Sequence, residues 1–351
     1  MGPFSAGPLN RRVSTLRGLS AGVIFFLPLV CGTAFAQVFQ LPTANHALFE
    51  PGQEENYFVP TVGKTWSSGT FGCVRSGGWQ MHEGLDIRPL THDRKGEPAD
   101  AILATADGTV VYVSSRPALS NYGNYLVIRH QVGGMEIYSL YAHLAEIRAG
   151  LQAGQSVKAG ETIARMGRTA NTREGISKER GHLHFELDLM VNDNFAQWYR
   201  GTFPDQRNDH GNWNGQNFLG VDPRQILLEQ RHQGAGFSLL KHLQSQPELC
   251  RVLVRKTNFP WLRRYPALVA PNPIAQKEGI AGYELALNFN GLPISIVPLA
   301  ASEIKSKGKV VLLSVNEAEY KKNPGCRLVA KTGSRWALAR NGANLVSLLT
   351  Y

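Results

Sequence analysis

The chain has 351 residues, of which 43% are hydrophobic and 18% are charged, and its formal net charge is +10. This balance is typical of a globular protein, because a disordered chain carries fewer apolar residues and more net charge for its length. The 36 glycines follow no period of three and no heptad pattern is sustained, so collagen-like and coiled-coil structures are excluded.

The first 36 residues have the pattern of a secretory signal peptide. Their only charges are three arginines, which precede an apolar stretch at 19–30. The small residues of Ala34-Phe35-Ala36 then form a cleavage site. We therefore expect cleavage before Gln37 and export to the periplasm or the medium.

Two membrane-anchored alternatives fit this stretch less well. Pro28 interrupts the apolar run, which is too short to span roughly 30 Å of hydrocarbon. Val30 is bulkier than the small residue that usually precedes a lipidated cysteine, which here would be Cys31. No later stretch is long and apolar enough to span a bilayer, so we expect no transmembrane segment in the mature chain.

Short strands separated by turns are predicted between residues 60 and 190. Apolar and β-branched runs follow turn residues at 109–113, 125–130 and 135–143, as in antiparallel hairpins. One clear helix start is present, where Asp222 suits the N-cap and Pro223 the first helical position. The polar stretch at 191–220 is predicted to form long loops.

We predict an all-β fold with two domains. The first is a compact antiparallel β domain at 37–234, with its core at about 60–190. A glycine-rich linker at 233–236 leads to a small, basic, β-rich accessory domain of unknown type at 235–351, where strands are expected at 309–315 and 327–330.

The two predicted domains differ in net charge. Residues 37–234 carry 18 basic and 21 acidic side chains, whereas residues 235–351 carry 16 basic and 6 acidic ones. The C-terminal excess favours an anionic wall or envelope polymer, or membrane headgroups, as a partner. The basic residues are not interleaved with aromatic residues, so we expect no nucleic-acid binding.

Three segments contain histidines in patterns that suit metal chemistry. They are Met81–Ile87, with His82 four residues before Asp86; Tyr141–Leu144, with His143; and Gly181–Leu187, with His182 and His184. Side chains in a strand alternate, so His182, His184 and Glu186 are predicted on one face and Leu183, Phe185 and Leu187 in the core. By the same count, Tyr141 and His143 are expected to share a face.

Zinc accepts imidazole nitrogen and carboxylate oxygen, and catalytic zinc sites use three protein ligands. A set of two histidines and one aspartate fits that description and leaves two histidines free for proton transfer and oxyanion stabilisation.

These ordered segments resemble the M23 family of zinc metallopeptidases, which includes lysostaphin and the LytM-type peptidoglycan endopeptidases. The resemblance runs from about residue 72 to 189. It extends to the following stretches: Gly108-Thr109-Val110, Tyr122–Leu126, Val157–Gly160 and, beyond it, Val221-Asp222-Pro223.

The resemblance implies one Zn²⁺ per chain, held by His82, Asp86 and His184. It makes His143 and His182 the catalytic pair, and it implies a compact antiparallel β fold. The sequence departs from the family pattern at Leu90–Asp100 and at Asn171–Arg180. Both segments are expected to border the cleft and to influence substrate specificity.

Other residues near these segments are assigned lesser roles. Glu83 is predicted to be a solvated neighbour, and Tyr141 to support the site. Glu186 is either an orienting partner of an imidazole or a plain strand residue. The remaining histidines are predicted on the surface or in loops: His46, His92, His130, His210, His232 and His242.

Three cysteines remain after removal of the signal peptide. Cys73 is predicted to be free and buried. Cys250 and Cys326 both lie in the C-terminal part and can pair there in an oxidising compartment, and the sequence leaves that pairing open.

The resemblance implies an exported zinc metalloendopeptidase that hydrolyses peptide bonds of peptidoglycan cross-links or stem peptides. The alternative is a non-catalytic wall-binding regulator of other hydrolases; such members of the family lack ligands, whereas all five positions are present here. A carrier resembling biotinyl or lipoyl domains is suggested by Gly154–Gly160, but no modified-lysine motif follows. The bond that is cleaved, and whether residues 37–59 cover the cleft, stay open.

Overall fold

The computed structural model describes residues 38–75, 80–172, 175–323, 325 and 327–351. The predicted signal peptide and Cys326 lie outside these residues, so the cleavage site and the Cys250–Cys326 pairing stay predictions. Cys73 is free and half-buried rather than buried.

Antiparallel strands dominate the described residues, as predicted. The strands are β1 (Val74–Arg75), β2 (Gln80–Met81), β3 (Leu85–Ile87), β4 (Ala101–Leu103), β5 (Gly108–Ser114), β6 (Tyr125–Val132), β7 (Met135–Ala142), β8 (Glu146–Ile147), β9 (Ser156–Val157), β10 (Thr162–Arg165), β11 (Leu183–Met190), β12 (Phe218–Val221), β13 (Cys250–Val254), β14 (Gly282–Leu287), β15 (Pro293–Leu299), β16 (Val310–Val315), β17 (Val329–Thr332) and β18 (Arg335–Leu338).

The helices are mostly short. They are α1 (Glu54–Tyr57), α2 (Phe195–Thr202), α3 (Pro223–Gln233), α4 (Leu239–Gln244), α5 (Pro260–Arg264), α6 (Pro273–Glu278), α7 (Glu317–Lys322) and α8 (Arg340–Leu349). Single 3-10 turns lie at Ala47–Phe49, Trp66–Gly69, Pro117–Leu119, Lys178–Arg180, Gly211–Trp213, Gly215–Asn217, Gly234–Gly236 and Pro266–Leu268. Within the described ranges, no helix has the length and apolar character needed to cross a membrane.

A seven-stranded antiparallel sheet forms the centre of the predicted peptidase region. Its order is β12-β11-β7-β6-β5-β9, and β3 pairs with the first half of β11. Leu183, Phe185, Leu187 and Leu189 of β11 are fully buried in the main hydrophobic core. The predicted alternation along β11 is therefore confirmed, and it turns the intervening residues of that strand towards the opposite face.

The segment before β1 is built into this sheet. Phe58 bridges to Ile87, and the Val59 amide donates to the Asp86 carbonyl at 2.9 Å. At the start of the segment, Phe39 exchanges two hydrogen bonds with the Gln230 side chain, at 2.7 and 2.6 Å. The N-terminal segment thus supports the strand that carries Asp86.

The C-terminal region contains a second antiparallel sheet, ordered β15-β14-β13-β16. The C-terminal region packs on the first region through direct hydrogen bonds. The Met190 amide donates to Tyr265 Oη at 2.9 Å, and Asn290 Nδ2 donates to the Gly220 carbonyl at 2.7 Å. The described residues all fall in one compact unit. The predicted division at residue 234 stays a prediction.

Of two local predictions about secondary structure, one is confirmed and the other is wrong. Asp222 caps α3 as predicted, since its carboxylate accepts from the Arg224 amide at 2.9 Å. The stretch at 191–220 was expected to be loops, but it contains α2 and most of β12. The apolar face of α2 buries Phe195, Trp198 and Tyr199, and the many polar residues around it hide that signal in the sequence.

Candidate metal centre

Three side chains predicted as metal ligands meet at one point. Asp86 on β3 and His184 on β11 are direct cross-strand partners, and His82 lies in the turn that leads into β3. His82 Nε2 lies 3.0 Å from Asp86 Oδ1 and 3.1 Å from His184 Nδ1. The third separation, between His184 Nδ1 and Asp86 Oδ1, is 3.1 Å. All three residues are buried.

The outer nitrogen of each histidine has an acceptor that fixes the imidazole. His82 Nδ1 lies 2.9 Å from the Thr70 carbonyl, and His184 Nε2 lies 2.6 Å from Glu186 Oε1. Each of these nitrogens therefore carries the proton, which leaves the lone pairs of His82 Nε2 and His184 Nδ1 directed inward.

The convergence of these atoms fits a zinc ion. Two imidazole lone pairs and a carboxylate oxygen are all acceptors, so they need a cation or a proton between them. Ligands placed tetrahedrally at about 2.0–2.1 Å from zinc are separated from one another by about 3.3 Å, close to the separations found here. The chemistry and spacing of this donor set thus suit one Zn²⁺.

Without a metal, a proton occupies the position between the three converging ligand atoms. Burial alone would lower the pKa of His184, but its contacts with the Asp86 and Glu186 carboxylates outweigh burial and raise the pKa to about 10. Burial lowers the pKa of His82 despite the neighbouring Asp86. One shared proton on His184 therefore satisfies the cluster, and a metal must displace it.

Arg75 contacts the oxygen of Asp86 that is turned away from the histidines. Its Nη2 donates to Asp86 Oδ2 at 2.6 Å and to the Ser68 carbonyl at 2.7 Å. This contact leaves only Asp86 Oδ1 directed at the converging nitrogens. No local pattern marks Arg75 in the sequence, because the contact depends on the pairing of β1 with β2 just before His82.

Glu186 is the orienting partner of His184 rather than a plain strand residue. It is buried and also accepts a hydrogen bond from Tyr122 Oη at 2.8 Å. Burial alone would raise the pKa of Glu186, but the hydrogen bonds from His184 and Tyr122 lower it. Burial and the Glu186 charge raise the pKa of Asp188 well above its usual range.

The two remaining predicted site histidines lie beside this cluster. The ring centroid of His143 is 4.8 Å from that of His182 and 5.9 Å from that of His184. His143 Nδ1 lies 2.9 Å from the Thr169 carbonyl, and His182 Nδ1 lies 2.6 Å from the Arg180 carbonyl. His143 therefore keeps a lone pair on Nε2, whereas His182 Nε2 lies 3.4 Å from Asp86 Oδ1.

The expectation that Tyr141 and His143 share a face is wrong. Tyr141 packs against Phe185 in the core, with ring centroids 5.3 Å apart. His143 follows the end of β7 with a φ of 60°, a left-handed conformation that is rare outside glycine. This backbone turn directs its imidazole to the histidine face. Tyr141 Oη accepts hydrogen bonds from the Thr105 amide at 2.8 Å and from Ser139 Oγ at 3.0 Å, consistent with the predicted support role.

The structure also locates the other acidic and histidine residues whose positions were predicted. Glu83 is exposed and is not one of the three converging ligands, as predicted. His46, His92 and His232 are exposed, but the expectation is wrong for His130 and His242, which are buried in β6 and α4. His210 lies in a loop, yet it is buried, with Nδ1 2.7 Å from Tyr112 Oη.

The two segments that depart from the family pattern are tied together next to His182. Lys178 Nζ of the second segment donates to the Lys95 carbonyl of the first at 2.9 Å. Arg168 binds both segments, through two hydrogen bonds to Glu97 of 2.6 and 3.0 Å and one to the Ile176 carbonyl of 2.8 Å. A Cβ added at Gly181 would lie 2.2 Å from Pro98, so the first segment packs directly against the residue before His182.

Known proteins are similar to this chain in the same region that contains the candidate metal centre. Residues 80–195 match the family model described as Peptidase family M23. Murein hydrolase activator NlpD of Escherichia coli (strain K12) is 40% identical over 128 residues, which cover 36% of this chain and 27% of that protein. DD-carboxypeptidase/endopeptidase Mpg of Neisseria meningitidis serogroup B is 32% identical over 111 residues, covering 32% of this chain and 21% of that protein.

Among solved structures, a zinc containing peptidase from Vibrio cholerae is 33% identical and covers 30% of this chain and 26% of that chain, with a TM-score of 0.22. The similarity therefore spans about a quarter of the length of these relatives. The histidine segments, the antiparallel sheet and the family match coincide in one stretch of chain. Residues 80–195 form a Peptidase family M23 domain.

Proposed function

We propose that this protein is an exported zinc metalloendopeptidase that hydrolyses peptide bonds of peptidoglycan. The observation that carries the proposal is the convergence of His82 Nε2, Asp86 Oδ1 and His184 Nδ1 within 3.1 Å of one another. His143 and His182 beside them supply the proton-transfer groups that hydrolysis needs. Export rests on the pattern of the first 36 residues.

The metal would be held by His82, Asp86 and His184. When bound, Zn²⁺ supplies Lewis-acid polarisation of the scissile carbonyl and activation of water. The chain itself contributes the fixed orientation of the three ligands, through Thr70, Arg75 and Glu186.

His143 is the better candidate for the general base. Burial, together with the neighbouring His182 and His184, holds the pKa of His143 well below its usual range, so the ring is neutral at pH 7. Its Nδ1 proton is held by the Thr169 carbonyl, and Nε2 is free to accept a proton from the attacking water.

The site residues account for every proton transfer that the reaction needs. The water oxygen forms a bond to the carbonyl carbon while its proton moves to His143 Nε2. The C–N bond breaks, and the proton passes from the imidazole to the leaving amine. His182, whose ring lies against His143, is placed to donate a hydrogen bond to the developing oxyanion when it is protonated at Nε2.

Digestion of purified peptidoglycan, with mass analysis of the released fragments, tests this function. We expect peptide fragments with new termini from the purified chain, loss of release with a chelator, and loss of release for His143→Ala. The exposed His92→Ala is the matched control and should digest normally. Normal digestion by His143→Ala would contradict the proposed mechanism. Absence of release by the zinc-loaded chain would contradict the proposed activity.

A second candidate function is regulation of another wall hydrolase. The similarity to a protein named Murein hydrolase activator NlpD favours it. The presence of all five predicted site residues favours catalysis instead. If the chain releases nothing alone but accelerates an added murein hydrolase, and His143→Ala does so equally well, regulation is the function.

A further inference from the structure

One end of the four-stranded C-terminal sheet gathers basic residues from separate stretches of chain. Val254, the last residue of β13, pairs with Val310, the first residue of β16. Just beyond this pair, the Arg255 amide donates to the Lys309 carbonyl at 2.8 Å. The segment before β16 and the residues after β13 therefore lie side by side. We call this the basic end, and define it as Arg255, Lys256, Lys305, Lys307 and Lys309.

These five side chains are exposed and carry uncompensated charge. Among the described residues, none of them forms an ion pair with a carboxylate. Glu278 and Glu303 accept hydrogen bonds from the neutral side chains of Ser302 and Asn272 rather than from any of these five residues. Arg251 within β13, by contrast, is paired with Glu248 and Glu284. The fold thus places these five unpaired basic residues at one end of the sheet, although they come from separate stretches of the sequence.

Two apolar side chains are exposed at the same end. Val310 is 45% exposed and Ile280 is 43% exposed. Ile280 lies two residues before Gly282, whose Cβ position would be 3.4 Å from the Arg255 Cα and 3.2 Å from Ile304. Exposed aliphatic residues among lysines and arginines are typical of surfaces that dock on lipid headgroups and insert shallowly.

We propose that the basic end binds an anionic lipid surface. Its lysines and arginines would contact the headgroup phosphates, and Ile280 and Val310 would enter the interface. A phosphate-bearing polymer matches the charge equally well but offers no apolar layer to these two side chains. The proposal narrows the anionic envelope partner expected from composition, and it is independent of the metal centre.

Sedimentation with lipid vesicles tests the proposal on the full chain. We expect binding to vesicles of phosphatidylglycerol and phosphatidylcholine, weak binding to phosphatidylcholine alone, and weakening by salt. Each basic residue near an anionic surface strengthens binding about fivefold. The variant Lys305→Gln/Lys307→Gln/Lys309→Gln should therefore bind about a hundredfold more weakly.

A matched control removes the same charge elsewhere. Lys241→Gln/Arg335→Gln/Arg340→Gln changes three exposed basic residues outside the basic end and should retain most of the binding. Ile280→Ser/Val310→Ser should weaken the binding that persists at high salt. Equal loss in both triple variants would overturn the proposal, as would binding to purified sacculi or to a phosphate polymer without binding to anionic vesicles.

Discussion

Asp86 and His184 lie directly opposite each other on neighbouring antiparallel strands, with Oδ1 and Nδ1 3.1 Å apart. The two residues are 98 positions apart in the chain. A shift of one residue in this pairing would turn His184 into the core and Phe185 to the metal side, because side chains alternate along a strand. The register of β3 on β11 therefore determines the geometry of the candidate centre.

Glu186 should control metal affinity through His184. In Glu186→Gln, the amide cannot replace the carboxylate as a charged acceptor for Nε2–H, so the inner lone pair is less well fixed and less basic. We expect zinc affinity to fall about 10–100-fold, measured by competition with a chromophoric chelator. Glu83→Gln changes an exposed acid next to His82 and is the control. Equal affinities for wild type and Glu186→Gln would show that Glu186 does not orient His184.

Gly123 should control the orientation of His143 without affecting metal binding. Its φ is 64°, and a Cβ there would lie 2.1 Å from the Thr169 carbonyl oxygen, the acceptor for His143 Nδ1. In Gly123→Ala, Thr169 must move, so we expect hydrolysis to fall at least about tenfold while zinc content stays constant.

The control for this substitution is Gly133→Ala. Gly133 also has a positive φ, of 56°, but a Cβ there meets nothing within 4 Å. Backbone strain of about 1–3 kcal/mol is expected in both variants, whereas loss of hydrolysis is expected in Gly123→Ala alone. Similar hydrolysis by the two variants would refute the role assigned to Thr169.

His130 should make the fold sensitive to mild acid. It is buried, and burial lowers its pKa from 6.5 to about 4. Because the folded-state pKa lies below that of the unfolded chain, the neutral imidazole contributes fully above pH 6.5, and this contribution is lost as the pH falls towards 4. The difference corresponds to about 3 kcal/mol.

Chemical denaturation between pH 7 and pH 4 measures this dependence. His130→Gln should be less stable at pH 7, because Nδ1 and Nε2 contact the Asp107 carbonyl and Ser139 Oγ at 2.8 and 2.7 Å. Its free energy of unfolding should also vary less with pH. The exposed His92→Gln should behave like wild type. An unchanged pH dependence in His130→Gln would rule out this assignment.

Much of the candidate centre is predictable from sequence because alternation along a strand is a local rule. It predicts His184 and Glu186 on one face of β11 and Phe185 on the other, and the spacing of His82 and Asp86 indicates a common ion. The rule fails at His143, where the backbone takes a left-handed turn. Hydrogen bonds from the His143 and Leu144 amides to the carbonyls of Tyr122 and Asn124 hold that turn, and such long-range contacts leave no local pattern.

Features made by tertiary packing were missed for the same reason. Arg75 reaches Asp86 only because β1 folds next to the site, and His130 is buried by its position in the central sheet. The basic residues after β13 and before β16 are about 50 positions apart in sequence. Strand pairing alone brings them to one end of the C-terminal sheet.

The zinc content of purified variants tests the central claim most directly. Elemental analysis should find about one zinc per chain in wild type and in His143→Ala, and almost none in His184→Ala with its fold intact by circular dichroism. Such a result would assign metal binding to His184 and not to His143. Full zinc content in His184→Ala, or none in wild type supplied with zinc, would contradict the account.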